Sequence, residues 1–176
     1  MIVAFGFYQM VLIFKNSKLL IKTLATVIVM IVIGLNIIYV SDQFFIHYTV
    51  QFSENWDYGY KEAALYAIQH QKEYDEIIID SAFGTLGPYI IGTPHLYVLF
   101  YGKLDPRQTQ IERNIKDGKF SNFSFRTIYW PNDKLLKNTL FIGSPWRLPM
   151  EDLDKQQIIK TIYFKNGKPG FLIVKT

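Results

Sequence analysis

An uncharged run near the amino end constrains the fold of this chain more than any other feature. Residues 23–40 contain no charged side chain and consist mostly of Val, Ile, Leu, Ala and Met. A helix needs about 20 apolar residues to cross the ~30 Å hydrocarbon layer of a bilayer. Residues 19–22 extend the run, because Lys22 can reach the interface with its long side chain. The sequence therefore predicts a transmembrane helix over residues 19–40.

A signal peptide and a buried core helix are the two alternatives to this interpretation. The apolar part of a signal peptide usually has about 7–15 residues and ends in small residues at a cleavage site. This run is longer and ends without such a pattern. Residues 1–14 are also uncharged and precede the first lysine, which reverses the order found in signal peptides. Residues 1–18 are therefore predicted to be the end of a preceding membrane helix and a basic cytoplasmic turn.

The lysines in this region predict the orientation of the helix. Lys15, Lys18 and Lys22 are the only charged side chains among the first 40 residues. Short loops rich in Lys and Arg stay in the cytoplasm, so the chain after about Asp42 is expected to be extracytoplasmic, with the protein in the cell membrane. These lysines also account for most of the net charge of +4. The remainder is nearly neutral, which argues against a nucleic acid partner and leaves membrane lipid as the predicted partner.

The rest of the chain has the pattern of an α/β domain. We expect a connector at residues 41–55 and an extracytoplasmic domain at residues 56–176. Helical spacing predicts a helix at residues 58–70, with Asp57 as its N-cap, and a short aromatic helix at residues 94–101. Strands are predicted at residues 76–80, 123–130, 139–143, 158–164 and 171–174, and a turn leads from Asp105-Pro106 to Ile115.

These elements predict the fold class. Helices and strands alternate first, and the Asn166-Gly167 dipeptide then predicts a closing hairpin. We therefore expect a transmembrane helix followed by a three-layer α/β domain with a mostly parallel sheet and a C-terminal β-hairpin. The predicted core, drawn from the apolar runs, consists of Ile77, Ile78, Ile79, Leu140, Phe141, Ile142, Ile159, Ile162 and Ile173.

The polar residues of this domain match no known catalytic motif. The three histidines have no second ligand at a metal-binding spacing, and the chain has no cysteine, so no metal site is predicted. The Gly84-Thr85-Leu86-Gly87 loop matches no nucleotide-binding fingerprint, and Ser144 lacks the flanking glycine of a nucleophile elbow. Asp80, at the end of a predicted strand, is the best single polar candidate for a ligand site, although its position favours capping of the next turn over catalysis.

Aromatic residues in or beside the loops suggest a substrate site. Exposed aromatic rings can stack on the apolar faces of sugars, whereas the alternative is an aromatic-rich core. The predicted substrate-binding residues are Asp80, Tyr89, Tyr97 and Trp146. No catalytic, cofactor-binding or metal-binding residue is assigned.

Several segments resemble the carboxyl-terminal part of a class of membrane enzymes. The segments are residues 56–64 (WDYGYKEAA), 74–79 (YDEIII), 94–101 (PHLYVLFY) and 104–106 (LDP). The class comprises bacterial multi-spanning glycosyltransferases related to protein O-mannosyltransferases and lipid A aminoarabinose transferases. The resemblance covers roughly residues 19–110. It implies the last membrane helix and the non-catalytic extracytoplasmic domain of an enzyme whose donors are polyprenyl- or dolichyl-phosphate-linked sugars.

One departure from this class limits what the resemblance implies. The catalytic carboxylate of these enzymes lies in their first extracytoplasmic loop, whereas this sequence has no acidic residue before Asp42. We therefore expect a fragment, or a reading frame begun at an internal methionine, which meets the donor and the acceptor through the parent enzyme. We expect no cofactor in this fragment, whereas the resemblance leaves open whether the full-length parent enzyme uses a divalent cation. Two other classes remain, a membrane-anchored binding module with its ligand near Asp80 and a structural envelope subunit.

Overall fold

The computed structural model describes residues 2–15, 18–105, 107 and 118–176. Two compact units, Met1–His47 and Tyr48–Thr176, make up the chain. Two predicted turns lie outside the described residues in part: Asn16 and Ser17 of the basic turn, and the segment that was expected to lead from Pro106 to Ile115.

The first unit is helical. Helix α1 spans Ile2–Lys15 and helix α2 spans Leu19–Asp42, with no buried residue in α2. A helical run over Leu19–Gln51 is long and apolar enough to cross a membrane. Its polar side chains bond to backbone carbonyls one turn earlier, as Thr26 does to Lys22 and Asn36 does to Val32, both at 2.9 Å. Such bonding suits a helix in lipid, where no water is present to satisfy polar groups.

The segment predicted as an irregular connector is mostly helical. A π-helical segment over Gln43–Tyr48 and a short helix α3 over Thr49–Gln51 follow α2, and a 3₁₀ helix covers Ser53–Trp56. Residues 41–55 hold neither proline nor glycine, so no backbone feature stops the helix there. The irregular spacing of apolar residues was a poor guide, because these helical residues do not line one protein core.

The second unit is a mixed α/β domain. After Trp56, the helices described in this unit are α4 (Tyr60–Gln69), α5 (Pro94–Tyr101) and α6 (Trp130–Asp133), with 3₁₀ turns at Gln71–Glu73 and Met150–Asp152. Its strands are β1 (Glu76–Ile79), β2 (Ala82–Phe83), β3 (Ile90–Ile91), β4 (Lys119–Phe120), β5 (Phe123–Ser124), β6 (Thr139–Gly143), β7 (Ile158–Tyr163) and β8 (Pro169–Lys175).

Six of the strands form one sheet in the order β4-β5-β1-β6-β8-β7. The central strand β1 pairs in parallel with β5 and β6, so that Ile78 lies beside Phe141, and the outer pairs are antiparallel. Strands β2 and β3 form a separate antiparallel hairpin. Strand β7 pairs with β8 with two shifts of register, at Ile158/Lys160 and at Ile162/Tyr163. The predicted α/β class, with its parallel core and C-terminal hairpin, is confirmed.

The hydrophobic core lies on both faces of this sheet. On one face, Ile77 and Ile79 pack with Ala63 and Ala67 of α4 and Val98 of α5. On the other face, Ile78 packs in a separate cluster with Ile128, Trp130, Phe141, Leu148 and Leu172. A strand covered on both faces needs apolar residues at every position, which explains the uninterrupted Ile77-Ile78-Ile79 run.

The predicted core is confirmed at every position except one. Ile77, Ile78, Ile79, Leu140, Phe141, Ile142, Ile162 and Ile173 are all buried. Ile159 is 37% exposed, so its prediction as a core residue is wrong. It lies in β7, at the outer edge of the sheet, where alternate side chains point to solvent.

The strand predicted at residues 123–130 is much shorter than expected. Strand β5 ends at Ser124, and Trp130 already begins α6, with Pro131 in the first turn. Proline favours the first turn of a helix and cannot donate to a strand ladder. The carboxylate of Asp133 accepts a hydrogen bond from the Tyr129 amide at 2.7 Å and stabilises this helix start.

The start of α4 also differs from the prediction. Gly59, with φ of +105°, is the N-cap, whereas Asp57 ends the preceding 3₁₀ helix in a left-handed conformation. A Cβ atom at Gly59 would lie 2.9 Å from Cε2 of Phe171. The prediction of Asp57 as the N-cap is therefore wrong, because the close approach and the positive φ both require glycine at the helix start.

Candidate functional site

A groove lined by aromatic and charged side chains lies in the second unit, and it is more apolar than a larger, polar depression beside residues 154–157. The groove encloses about 590 Å³, which is within the usual range for small-ligand sites. We call it the aromatic groove. Its lining residues are Trp56, Asp57, Tyr58, Gly59, Lys61, Glu62, Leu65, Tyr66, Gln69, Tyr97 and Lys160.

The turn before α4 holds the most exposed aromatic rings of the groove. Trp56 is 67% exposed at the end of its 3₁₀ helix, and Tyr58 follows in the turn. The Tyr58 ring lies 5.4 Å from Nζ of Lys165, which supports it from the hairpin loop. A tryptophan left this exposed loses the free energy that burial would give, so its position is typical of a binding surface.

An aspartate and a tyrosine lie near each other in the groove. Asp57 and Tyr97, which extends from α5, both line it. Burial raises the pKa of the Asp57 carboxyl, and the neighbouring Tyr97 side chain only partly opposes this. Burial and the nearby charge of Asp57 also raise the pKa of Tyr97, so the tyrosine hydroxyl keeps its proton and can donate a hydrogen bond at neutral pH.

An ion pair also lines the groove. Nζ of Lys160, from β7, lies 2.7 Å from Oε1 of Glu62, from α4. Nζ of Lys61 lies 5.6 Å from the centre of the Tyr101 ring. The groove thus presents donors, acceptors and ring faces together, which is the set of contacts that a sugar uses when its apolar face stacks on a ring and its hydroxyls bond to side chains.

A different kind of polar cluster lies where the parallel strands end. Asp80 follows β1 and has no exposed surface. Its Oδ1 accepts a hydrogen bond from the Ala82 amide at 2.7 Å, its Oδ2 accepts one from the Ile128 amide at 2.9 Å, and Nε of Arg147 lies 3.5 Å from Oδ2. Burial raises the pKa of Asp80, against the two amide bonds and the charges of Arg147 and Arg126. This carboxylate holds three segments together.

The glycine loop after β2 is fixed by contacts from two sides. Nε1 of Trp146 donates to the Gly84 carbonyl at 2.8 Å, and the Arg147 guanidinium lies 4.7 Å from the Trp146 ring. The amide and hydroxyl of Thr85 donate to Oε2 of Glu54 at 2.9 and 3.0 Å. These contacts give the loop a defined conformation.

The structure separates the four predicted substrate-binding residues. Asp80 and Trp146 lie in one cluster, because Arg147 contacts both. Tyr97 lines the aromatic groove. Tyr89 is 83% exposed at the hairpin loop and belongs to neither region. Their role in substrate binding stays a prediction.

One buried tyrosine connects the two regions. The hydroxyl of Tyr60 lies 3.1 Å from the carbonyl oxygens of Asp80 and Ser81, to which it donates. The Tyr60 ring stacks on Tyr97 with centroids 5.6 Å apart. Burial raises the pKa of Tyr60, so the hydroxyl remains a donor throughout the physiological range.

Most residues of the aromatic groove were missed as site residues in the sequence analysis. The available signal was the Trp56-Asp57-Tyr58 sequence, which places two aromatic rings beside a carboxylate at the start of a predicted helix. Lys160 gave no signal, because only the folded sheet brings it to Glu62. Arg147 was also missed, although it immediately follows Trp146.

The described residues show no group of three or more His, Cys, Asp or Glu side chains that could hold a metal ion. Within the same ranges, Ser144 is buried and its hydroxyl has no hydrogen-bond partner.

The aromatic groove combines exposed rings with charged and hydrogen-bonding side chains, and this combination suits an organic ligand.

Comparisons with known proteins give one partial similarity. Over 82 residues the chain is 33% identical to the Sec-independent protein translocase protein TatC of Rothia mucilaginosa (strain DY-18). The match covers 47% of this chain and only 27% of that protein. No family profile and no solved structure matches the chain. The similarity is to a stretch of a membrane protein, which agrees with the apolar helix over Leu19–Gln51, and the chain is associated with a membrane.

Proposed function

We propose that this chain is the non-catalytic, extracytoplasmic C-terminal part of a membrane glycosyltransferase whose donors are polyprenyl- or dolichyl-phosphate-linked sugars. The observation that carries the proposal is the aromatic groove. The segment at residues 56–64, which resembles this class of enzymes, supplies six of the groove's lining residues: Trp56, Asp57, Tyr58, Gly59, Lys61 and Glu62. The segment at residues 56–64, which contributes to the resemblance, therefore forms much of the lining of the aromatic groove.

The groove would bind the sugar of the donor or of the acceptor. Trp56 offers an exposed ring for stacking, and the carboxylate of Asp57 can accept hydrogen bonds from two sugar hydroxyls. In the parent enzyme, a carboxylate outside this chain would deprotonate the acceptor hydroxyl, which attacks the anomeric carbon while the lipid phosphate leaves. Residues of this chain would orient the sugar and would take no part in the proton transfer.

Sugar binding by the full chain in lipid nanodiscs tests this proposal. The probes are methyl hexosides and short-chain polyprenyl-phosphate hexoses, with affinity measured by calorimetry. Trp56→Ala should weaken binding about tenfold, since stacking on one ring is worth roughly 1–1.5 kcal/mol. Tyr129→Ala is the matched control, because Tyr129 is also an exposed aromatic residue and lies outside the groove. Equal loss in both variants, or no binding by the wild type, contradicts the proposal.

A second assay tests the non-catalytic assignment. The chain alone, incubated with the same polyprenyl-phosphate hexoses and with peptide or lipid acceptors, should transfer no sugar. Turnover that survives repurification of the chain would show that the catalytic groups lie within these residues.

The side of the membrane is tested separately. The three lysines Lys15, Lys18 and Lys22 support an extracytoplasmic second unit through the positive-inside rule. A reporter that is active only outside the cytoplasm, fused after Thr176, should be active. A reporter that is active only in the cytoplasm should be silent at the same position, and the reverse pair of results would contradict the orientation.

A role in Sec-independent protein translocation is a second candidate, favoured only by the 33% identity to TatC over 82 residues. Removing this protein from its host should then stop the export of a folded cargo that does not use the Sec route. Normal export, together with loss of a cell-envelope glycan, would favour the glycosyltransferase.

A further inference from the structure

The β2–β3 hairpin carries three large apolar side chains that face solvent. Phe83 pairs with Ile90 and faces the core, so Ile91, next along the strand, points outward and is 77% exposed. Leu86 and Tyr89, in the loop between the strands, are 82% and 83% exposed. We call Leu86, Tyr89 and Ile91 the apolar tip.

The fixed base of this hairpin keeps the apolar tip in solvent. The Gly84 carbonyl is held by Trp146, and Thr85 is held by two hydrogen bonds to Glu54. These contacts hold the base of the loop, next to the tip, in a conformation that leaves the tip side chains exposed. Exposed apolar groups on a fixed scaffold mark a surface that another apolar phase covers.

The segment that forms the tip contributes no charged side chain of its own, although Glu54 contacts Thr85 at its base and Arg147 lies over the Trp146 ring. Residues 81–102 contain no Asp, Glu, Lys or Arg, although charged residues recur every few positions in the rest of the domain. Burial lowers the pKa of His95, so its neutral form is favoured. Leu96 and Phe100, one turn apart on α5, add two exposed apolar side chains to the same segment. A protein partner normally needs polar anchors at the rim of its site, whereas a lipid surface needs none.

The chain itself keeps this segment at a membrane. Helix α2 belongs to an apolar run that is able to cross a bilayer, and it is covalently linked to the domain that carries the tip. Such a link converts contact with lipid into an intramolecular event and raises its effective concentration. Aromatic and aliphatic side chains such as Tyr89 and Leu86 are those that enter the boundary between headgroups and acyl chains.

We propose that the apolar tip inserts into the headgroup–acyl boundary of the bilayer that holds helix α2. The occupant of this surface is lipid. The inference is independent of the sugar groove and would stand if the groove bound no sugar.

Single-cysteine labelling of the full chain tests this proposal, since the native chain has no cysteine. Leu86→Cys and the matched control Leu135→Cys, at positions 82% and 76% exposed, would each carry an environment-sensitive fluorophore. Leu135 lies among charged residues, next to Lys134 and near Asp133. The protein is reconstituted in vesicles of phosphatidylethanolamine and phosphatidylglycerol that contain spin-labelled lipid.

The label at position 86 should emit at shorter wavelength and be quenched by the spin-labelled lipid at least threefold more than the label at position 135. Adding Tyr89→Asp to Leu86→Cys should return the label to an aqueous spectrum without changing near-ultraviolet circular dichroism. Equal quenching at the two positions overturns the proposal. The proposal is also overturned if the short-wavelength emission at position 86 disappears when each vesicle holds a single chain. That result would mean that a second copy, and not lipid, covers the tip.

Discussion

Asp57 and Asp80 are both aspartates whose pKa is raised by burial, but their surroundings differ. The carboxylate of Asp80 is enclosed, and both of its oxygens accept backbone amide hydrogen bonds. Asp57 lies in an open groove beside an exposed tryptophan, and Tyr97 lines the same groove. A raised pKa alone therefore does not mark a binding site. The unused hydrogen-bonding capacity of Asp57 and its access to solvent separate the two.

The largest expected effect tests Asp80 as a structural residue. Asp80→Ala leaves the amides of Ala82 and Ile128 without an acceptor, and each unpaired buried donor costs roughly 1–3 kcal/mol. The free energy of unfolding should fall by about 2–5 kcal/mol, as measured by denaturant melts of the full chain in detergent.

Asp57→Asn is the matched control for Asp80→Ala. Asparagine tolerates the left-handed backbone at this position, so the variant should change the unfolding free energy by less than about 1 kcal/mol. If the two variants melt alike, the distinction between a structural and an available carboxylate is wrong.

Tyr60→Phe sharpens the comparison, because Tyr60 contacts both regions. The variant keeps the ring that stacks on Tyr97 but removes the hydroxyl that donates to the Asp80 carbonyl, whereas the Ser81 carbonyl still accepts from the Gly92 amide at 2.8 Å. We expect a loss of about 2 kcal/mol in unfolding free energy and little change in sugar affinity. Tyr163→Phe, at an exposed tyrosine on β7, should stay within about 0.5 kcal/mol of the wild type. A large loss of sugar affinity in Tyr60→Phe would show that the regions are not separable.

The pH dependence of sugar binding tests Asp57 itself. The neutral acid accepts hydrogen bonds less well than the carboxylate, so affinity should fall as the pH drops through the raised pKa of Asp57. The midpoint should lie above the ordinary aspartate value of about 4. Asp57→Asn should bind about tenfold more weakly at neutral pH and show no such transition. An unchanged transition in Asp57→Asn, measured by calorimetry, would assign it to another group.

The smallest effect concerns Thr85, which the sequence places in a solvent-exposed loop. Its hydroxyl donates to Glu54, so Thr85→Ala should cost about 0.5–1.5 kcal/mol in thermal melts. Asn132→Ala, at an exposed position of α6, is the control and should change stability by less than about 0.5 kcal/mol. Identical melting of the two variants would mean that the Glu54 contact does not hold the glycine loop.

The parts of the fold that were predictable from sequence have strong local signals. The uncharged run gives helix α2, the Ile77-Ile78-Ile79 run gives β1, and Asn166-Gly167 gives the β7–β8 hairpin. The end of β5 at Ser124 was missed, because the aromatic alternation continues beyond it to Trp130, where Pro131 and Asp133 favour the start of a helix. In that segment side-chain hydrogen bonds determine the backbone, and periodicity does not reveal them.

The candidate site was less predictable, because it depends on distant parts of the chain. The position of Asp80 at a strand end predicts that it caps the next turn. The hydrogen bond from the Ala82 amide to Oδ1 of Asp80 is this contact. The meeting of Glu62 with Lys160 required the strand order, since β7 is the last strand of the sheet and far from α4 in sequence. Local sequence reasoning could find Trp56 and Asp57 but not the lysine across from them.

The two register shifts in β7 have a consequence for how copies of this protein behave when they are crowded together. An outermost strand with free amides and carbonyls can recruit a strand from another molecule, which starts aggregation. The irregularities at Ile158/Lys160 and Ile162/Tyr163 break the even spacing that such recruitment requires, and the charge of Lys160 opposes it further. At the opposite edge, β4 is only two residues long. Both described edges of the sheet are therefore poor templates for strand exchange between neighbouring copies.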